Sequence, residues 1–407
     1  MSYIKRSLEN IIKKQEEIFK VILITGSRQV GKTTMLKNLK PDLKYVTLDD
    51  TLLNQMAVED PNIFLKSNSP PIIIDEVQYA PNLLRNIKMN VDESNKKGLF
   101  FLTGSQQFSL MQNITESLAG RVGILNLLGL SLREIKNVEF NMPFVPNNEY
   151  IKQRSKKLVQ IEYKDIWNII HKGSFPAMYD KDNDFDMYYA TYVNTYIERD
   201  VRSLTQVGNI LSFAKFMTSL ASRIGTMLNL SKVANEVGVT VPTAERWLSI
   251  LISSNIVYLL EPYYNNIMKR AIKTPKLYFL DTGLAAYLTK WKTSEALEVG
   301  AMSGNFFENF VVVEIIKSYY NNGELRPPIY YYRDKDKNEI DLIIEQDGLL
   351  YPIEIKQSAS PNKDMINSFR VLEKIKEREI GEGGIICMYD RLINLNEKNL
   401  VIPVQYL

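Results

Sequence analysis

Cysteine and histidine are almost absent: Cys387 and His171 are single copies in 407 residues. That excludes a disulfide framework and a structural zinc site built from Cys and His, and it leaves a Cys–His nucleophile pair unexpected. Cys387 sits in Gly384-Ile385-Ile386-Cys387-Met388, an apolar run that predicts a core strand. His171 follows the helix-like Ile166-Trp167-Asn168-Ile169-Ile170 and reads as a structural side chain. Long apolar runs are missing too. None approaches the roughly 20 residues that cross a bilayer, so no membrane partner is expected. The opening Met1-Ser2-Tyr3-Ile4-Lys5-Arg6 has no secretion-signal core, which predicts a cytoplasmic, reducing setting. An excess of one charge is also lacking: 50 Lys and Arg face 47 Asp and Glu, for a net +3. Any surface for a polyanion must therefore be local.

What is present is an ordinary globular balance, 45% hydrophobic and 24% charged. The chain is organised around Val21-Ile22-Leu23-Ile24-Thr25-Gly26-Ser27-Arg28-Gln29-Val30-Gly31-Lys32-Thr33-Thr34. The apolar run predicts a buried parallel strand. Gly26 and Gly31 let the backbone turn tightly, so that N–H groups point into one concavity, and a helix N-terminus follows. Residues Gly26 to Thr34 are thus the candidate phosphate cradle. Lys32 is placed to reach the β- and γ-phosphates of a nucleotide and Thr33 to ligate Mg²⁺. An amphipathic helix is expected over 7–19, with Leu8, Ile11, Ile12, Ile18 and Phe19 near one face, and a second strand over 45–48. Pro71-Ile72-Ile73-Ile74-Asp75-Glu76 reads as a strand ending in two acids. In an open parallel sheet, ligands bind beyond the carboxyl ends of the strands. Asp75 would then orient Mg²⁺ and Glu76 would polarise the attacking water. Leu99-Phe100-Phe101-Leu102 reads as another strand, with Thr103-Gly104-Ser105 at its end. Thr103 is a candidate to orient the γ-phosphate or the water. Arg121, after Ser117-Leu118-Ala119-Gly120 and before an apolar run over 122–128, is either a surface residue or a charge stabiliser. In the latter role it would act in its own chain or in a neighbour of a homo-oligomer.

These stretches carry a resemblance. With Leu130-Ser131-Leu132-Arg133-Glu134, Tyr196-Ile197-Glu198-Arg199-Asp200 and Tyr278-Phe279-Leu280-Asp281-Thr282-Gly283-Leu284, they resemble the AAA+ class of P-loop ATPases. More narrowly, they are similar to a bacterial and archaeal AAA+-like family whose ATPase core precedes a large C-terminal region. The resemblance implies an α/β fold with a parallel-sheet core.

In the middle, 137–160 is expected as a polar loop with a basic turn from Lys152 to Lys157. Over 185–204, Tyr188, Tyr192 and Tyr196 fall at near-helical spacing and predict core packing, with Arg199 and Arg202 continuing the helix. Ser231 is the expected cap of a helix over 232–237, which Gly238 ends. Thr240 is expected to cap the next helix, with Pro242 in its first turn and Val241, Ala244, Trp247, Leu248 and Leu251 as its apolar positions. Strands are expected over 257–260 and 277–280. Helix, turn, helix and strand pair are the parts of a winged helix-turn-helix. The second helix offers only Glu245 and Arg246 toward DNA, so DNA reading and mere docking both stay open.

Residues 292–304 read as a linker, followed by a helix over 306–320. Glu308 lies on that helix's apolar stripe, where an unpaired acid is costly. Further on, Asp347-Gly348 is a strong hairpin signal between two apolar-alternating runs. A two-residue loop pairs Gln346 with Leu349 and sets Asp341 opposite Glu354, with Lys356 on the same face. Carboxylates that close repel unless a cation bridges them or one is protonated. Mg²⁺ or Mn²⁺ would suit oxygen ligands, and Lys356 would aid phosphate chemistry. The rival is a solvated outer face with a Glu339–Lys356 ion pair. The inward Glu308, the paired acids and Glu-x-Lys together resemble the PD-(D/E)XK, restriction-endonuclease-like class. That resemblance implies Glu308, Asp341 and Glu354 as metal ligands, Lys356 as catalytic, and DNA as partner. The expected architecture is an ATPase core over 1–136, a helical segment over 137–225, a winged helix over 226–291, and an α/β nuclease-like domain over 300–407. Two readings remain: ATP hydrolysis coupled to DNA cleavage, or a non-cleaving switch or remodelling ATPase whose C-terminal domain only docks DNA or protein.

Overall fold

In the computed structural model, residues 3–104, 117–196, 210–263, 274–375 and 378–407 are described. Ser105, Ile197 to Asp200 and Arg202, named above, lie outside the described residues. The chain divides into two compact units. The first comprises Met1–Leu130 with Ser253–Asn255 and Tyr320–Leu325, and the second comprises the rest.

The first unit is built on five parallel strands: β1 (Val21–Thr25), β2 (Lys44–Thr47), β3 (Ile72–Asp75), β4 (Phe100–Gly104) and β5 (Val122–Asn126). Their order across the sheet is β2-β3-β4-β1-β5. A parallel sheet is covered on both faces, so its strands need near-continuous apolar runs rather than alternation. Ile22, Ile24, Ile72, Ile73 and Ile74 are accordingly all buried. Helix Leu83–Asp92 contributes Leu84, Ile87 and Val91 to the same core as Leu23, Ile72, Ile74 and Leu102. The expected first helix is shorter than its periodicity suggested, Glu9–Gln15. Leu8 and Ile12 are buried, but Ile18 lies past the helix end in a turn and is 59% exposed.

In the second unit the expected 137–160 loop contains a helix, Asn148–Ser155, capped by the Asn147 side chain. It buries Tyr150, Ile151 and Arg154, so the basic run is not wholly a solvated face. Helix Phe185–Tyr196 packs Tyr192 and Tyr196 inward as expected, but the third inward ring is Tyr189, and Tyr188 is only half-buried. Helix Leu230–Val237 ends at Gly238 in the left-handed conformation, but Asn229, not Ser231, caps it. Helix Val241–Ser253 follows, with the Thr240 hydroxyl accepting the Thr243 N–H. Strands β6 (Thr226–Met227), β7 (Val257–Leu260) and β8 (Lys276–Phe279) form an antiparallel sheet in the order β6-β8-β7. The expected linker holds a short helix, Ser294–Glu298, capped by Thr293. Helix Ser303–Tyr320 is buried nearly all round rather than along one stripe.

The C-terminal sheet contains β9 (Ile329–Arg333), β10 (Glu339–Gln346), β11 (Leu349–Lys356), β12 (Glu379–Ile380), β13 (Gly383–Cys387), β14 (Ile393–Asn394) and β15 (Asn399–Pro403). Its main order is β14-β15-β13-β11-β10-β9, and β12 pairs with β11. Gln346 pairs with Leu349 across Asp347 and Gly348, both at positive φ, as the two-residue turn requires. β13 runs parallel to β11 and carries Cys387, which is fully buried.

Candidate functional sites

The sheet order brings separated stretches of the first unit to one edge. Because β4 lies between β1 and β3, Thr103 pairs with Ile24 on one side and stands level with Asp75 on the other. Asp75 accepts hydroxyl protons from Thr33 at 2.9 and 3.0 Å, from Tyr45 at 2.8 Å, and from Thr103 through a short bond. The Thr103 hydroxyl also accepts the Glu76 N–H at 3.3 Å. Glu76 sits just past β3 in the left-handed conformation, and its carboxylate takes the Gln78 amide. Three separate segments thus converge on the Asp75 carboxylate beside the loop.

The loop itself has Gly26, Gln29 and Gly31 at positive φ. At Gly26 a side chain would also collide with the Leu127 carbonyl oxygen. Gly31 caps helix Lys32–Leu39 in a left-handed conformation that costs glycine little. Lys32 is buried, and its ammonium donates to the carbonyls of Gly26 and Ser27 at 3.0 and 2.8 Å. Ser27 is buried, Thr33 half-buried and Thr34 exposed, while Arg28 and Val30 belong to the same turn. The Thr33 hydroxyl and the Asp75 carboxylate are hard oxygen donors within hydrogen-bond reach, which suits Mg²⁺. Those two residues would hold it.

Arg121 is not part of this cluster. Val122 is level with Val21 at the amino ends of β5 and β1, whereas the loop leaves the carboxyl end of β1. Its guanidinium instead holds Asp92, at 2.5 and 3.0 Å. The expectation that Arg121 serves the phosphate site of its own chain is therefore corrected: a full strand length separates the two.

Tyr45 was not visible as a site residue. Its hydroxyl is held from ionising by burial and by the Asp75 charge, which keeps it a donor. Lys37 lies over its ring, 3.4 Å from the centroid. A period-two reading puts Tyr45 and Thr47 on one face of β2, and Thr47 pairs with Asp75, but only the sheet order reveals that neighbour.

In the second unit Asp341, Glu354 and Lys356 meet as the hairpin register demands. The Lys356 ammonium lies 2.9 Å from Asp341 and 2.7 Å from Glu354. Asp341 also accepts the Ile355 N–H at 2.9 Å, and Glu354 accepts the Ser368 hydroxyl at 2.9 Å. Burial, reinforced by the Asp341 charge, pushes the Glu354 carboxyl up to about 8. Burial also works against an ionised Asp341, but the Lys356 and Lys276 charges overcome it and hold the carboxyl below its usual range. The expected bridging cation is thus an ammonium of the chain itself, and Lys356 does not pair with Glu339.

Glu308 departs from its expected role as a metal ligand. It accepts from Lys276 at 3.1 Å and from the Tyr278 hydroxyl at 2.6 Å. Lys276, 3% exposed, also contacts Glu339 at 2.6 Å. An inward acid needs a counter-charge, and β8 supplies it. Among the described residues, no three His, Cys, Asp or Glu side chains converge as a metal-ligand set. The Glu308–Asp341–Glu354 set therefore does not fit a metal in this arrangement.

The loop, the acid-tipped strand and the threonine between them meet at the carboxyl edge of the parallel sheet, the arrangement of a P-loop nucleotide site. Residues 19–136 match a family model described as an AAA domain. Residues 163–295 match a domain of unknown function, DUF8612, and residues 303–407 another, DUF4143. Uncharacterised proteins Rv2008c of Mycobacterium tuberculosis and Mb2031c of Mycobacterium bovis are each 29% identical over 344 residues, 84% of this chain and 71% of theirs. Among solved structures, a Walker-type ATPase of Pyrococcus abyssi aligns with 14% identity and a TM-score of 0.40, over 69% of this chain and 94% of its own. The RuvB Holliday junction branch migration motor of Thermotoga maritima aligns with 16% identity and a TM-score of 0.29, over 62% and 85%. No helix among the described residues is long and apolar enough to cross a membrane.

Proposed function

We propose that the chain hydrolyses ATP in its first unit and acts, through its second, on DNA. The observation that carries the hydrolysis is the convergence of Thr33, Tyr45 and Thr103 on Asp75 at adjacent strand ends. Thr33 and Asp75 would hold Mg²⁺, which would supply neutralisation of the phosphate charge. The chain's own work is positional. Residues Gly26 to Thr34 cradle the phosphates, and Lys32 exchanges its two loop carbonyls for phosphate oxygens. Glu76 orients the attacking water, and Thr103, touching both Asp75 and the Glu76 N–H, links the acids to the γ-phosphate end. Arg121, remote from its own loop, is available only to a neighbouring subunit. Purified protein should hydrolyse ATP with Mg²⁺; Lys32→Ala should abolish binding, and Glu76→Gln should keep binding and lose turnover. Unchanged binding in Lys32→Ala sinks this reading.

DNA association is supported by Asp341, Glu354 and Lys356, whose types and spacing resemble a PD-(D/E)XK core, and by the helix–turn–helix–sheet order over 230–279. Two outcomes divide the second unit's role. Nicking of DNA with Mg²⁺ or Mn²⁺, lost in Asp341→Asn, would make it a nuclease. The non-cleaving alternative is favoured by one specific observation: each of the three acids already has a lysine of the chain as partner, Glu308 with Lys276 and Asp341 and Glu354 with Lys356. It expects salt-sensitive DNA binding without cleavage.

A further inference from the structure

Arg6 precedes the stretch matched by the AAA model, and the cluster described above does not use it. It is 3% exposed. One guanidinium nitrogen donates to the Val30 carbonyl at 2.7 Å; the other donates to the carbonyls of Leu128 at 2.7 Å and Gly129 at 3.3 Å. The Arg6 N–H donates in turn to the Glu9 carboxylate at 2.8 Å, which also accepts the Tyr3 hydroxyl at 2.6 Å. The turn that leads into the first helix is thus keyed through Arg6 to two backbone segments at once.

Val30 immediately precedes Gly31, the glycine that opens helix Lys32–Leu39. In a trans peptide the carbonyl and the following N–H point in opposite directions. A guanidinium that holds the Val30 carbonyl therefore aims the Gly31 N–H away from Arg6, as a loop must to offer N–H groups to phosphate. The segment Arg6 grips on its other side also supports the loop's first glycine. The Leu127 N–H bonds the Thr25 carbonyl at 2.8 Å, and the Leu127 carbonyl lies where a Gly26 side chain would be. Residues 127–129 so back both ends of the loop, directly at Gly26 and through Arg6 at Val30. A rigid planar fork can span two segments where a lysine's single ammonium cannot. A permanent positive charge behind the loop also favours an anionic occupant.

We propose that Arg6 is a positioning residue for phosphate binding, fixing the Val30–Gly31 peptide in the orientation that receives a nucleoside triphosphate. This rests on reading Gly26 to Thr34 as a phosphate loop. The test is titration of the full chain with a non-hydrolysable ATP analogue and, in parallel, with adenosine, which lacks phosphates. Arg6→Met should weaken the analogue about tenfold or more, because hydrogen bonds to a charged group are lost. Arg6→Lys, which keeps the charge but not the fork, should fall between it and the wild type. Adenosine binding should be unchanged in both. Unaltered analogue affinity in folded Arg6→Met overturns the proposal, as does an equal loss for adenosine. If neither variant folds, Arg6 is core rather than loop support and the proposal also fails. Lys32→Ala serves as the reference: should it bind the analogue as the wild type does, the phosphate-loop reading fails instead.

Discussion

Asp75 carries three hydroxyl donors from three elements, and each has a different consequence. Thr33 would share a cation with it, Thr103 ties it to Glu76, and Tyr45 only orients it. Partners that orient a ligating carboxylate typically change metal affinity by about 10–100-fold. Tyr45→Phe should therefore raise the Mg²⁺ concentration needed for tight nucleotide binding by about tenfold, with little change in thermal stability. A titration of Mg²⁺ against bound fluorescent nucleotide checks this; an unchanged midpoint would make Tyr45 a packing residue. Glu354 supports a second test. Its folded carboxyl is pushed up to about 8, against 4.5 unperturbed. A group raised in the folded state stabilises below its unfolded value and loses that contribution as pH rises through the folded one. Stability should thus fall between about pH 4.5 and pH 8, and Glu354→Gln should flatten the decline. Melting temperatures across that window, in both proteins, decide it. These contacts were hard to read in one dimension because their partners are far apart in the chain: 30 residues between Tyr45 and Asp75, 24 between Arg6 and Val30, 32 between Lys276 and Glu308.

Among elements, local patterns were the legible ones. The glycine-rich turn between β1 and its helix, the Asp347-Gly348 hairpin and the Gly238 helix stop each depend on neighbouring residues, and each is present. Helix Asn148–Ser155 was missed because its apolar positions are few; what holds it is tertiary, with Arg154 donating to the carbonyls of Gln405 and Tyr406. Helix Thr282–Leu288 shows a similar non-local anchor. Its cap Asp281, 7% exposed, accepts from the Leu284 N–H, the Ser174 N–H and hydroxyl, and the Tyr189 hydroxyl. A hydrogen bond to a charged group contributes about 1.5–3 kcal/mol, and its loss here leaves buried donors unpaired. Asp281→Ala should destabilise the second unit by that order in denaturant unfolding while leaving nucleotide affinity unchanged. A loss below about 1 kcal/mol would show that the cap alone matters.

In the whole molecule, a parallel-sheet unit whose residues 19–136 match an AAA domain model is followed by a β-rich C-terminal region whose inward acids are paired with lysines of the same chain. Lys276 comes from the stretch matching one domain of unknown function, while Glu308 and Glu339 come from the stretch matching another. Lys276→Met leaves Glu308 and Glu339 without that cation, so it should destabilise the second unit, whereas the double change Lys276→Met with Glu308→Gln should recover part of the loss. The central claim, however, is that Gly26 to Thr34, with Asp75 and Glu76, forms a working ATPase. The direct measurement is phosphate release from ATP by the purified chain with Mg²⁺, for the wild type, Lys32→Ala and Glu76→Gln. The wild type should release phosphate, neither variant should, and of the two variants Glu76→Gln alone should retain nucleotide binding. Equal release by all three proteins would contradict the claim.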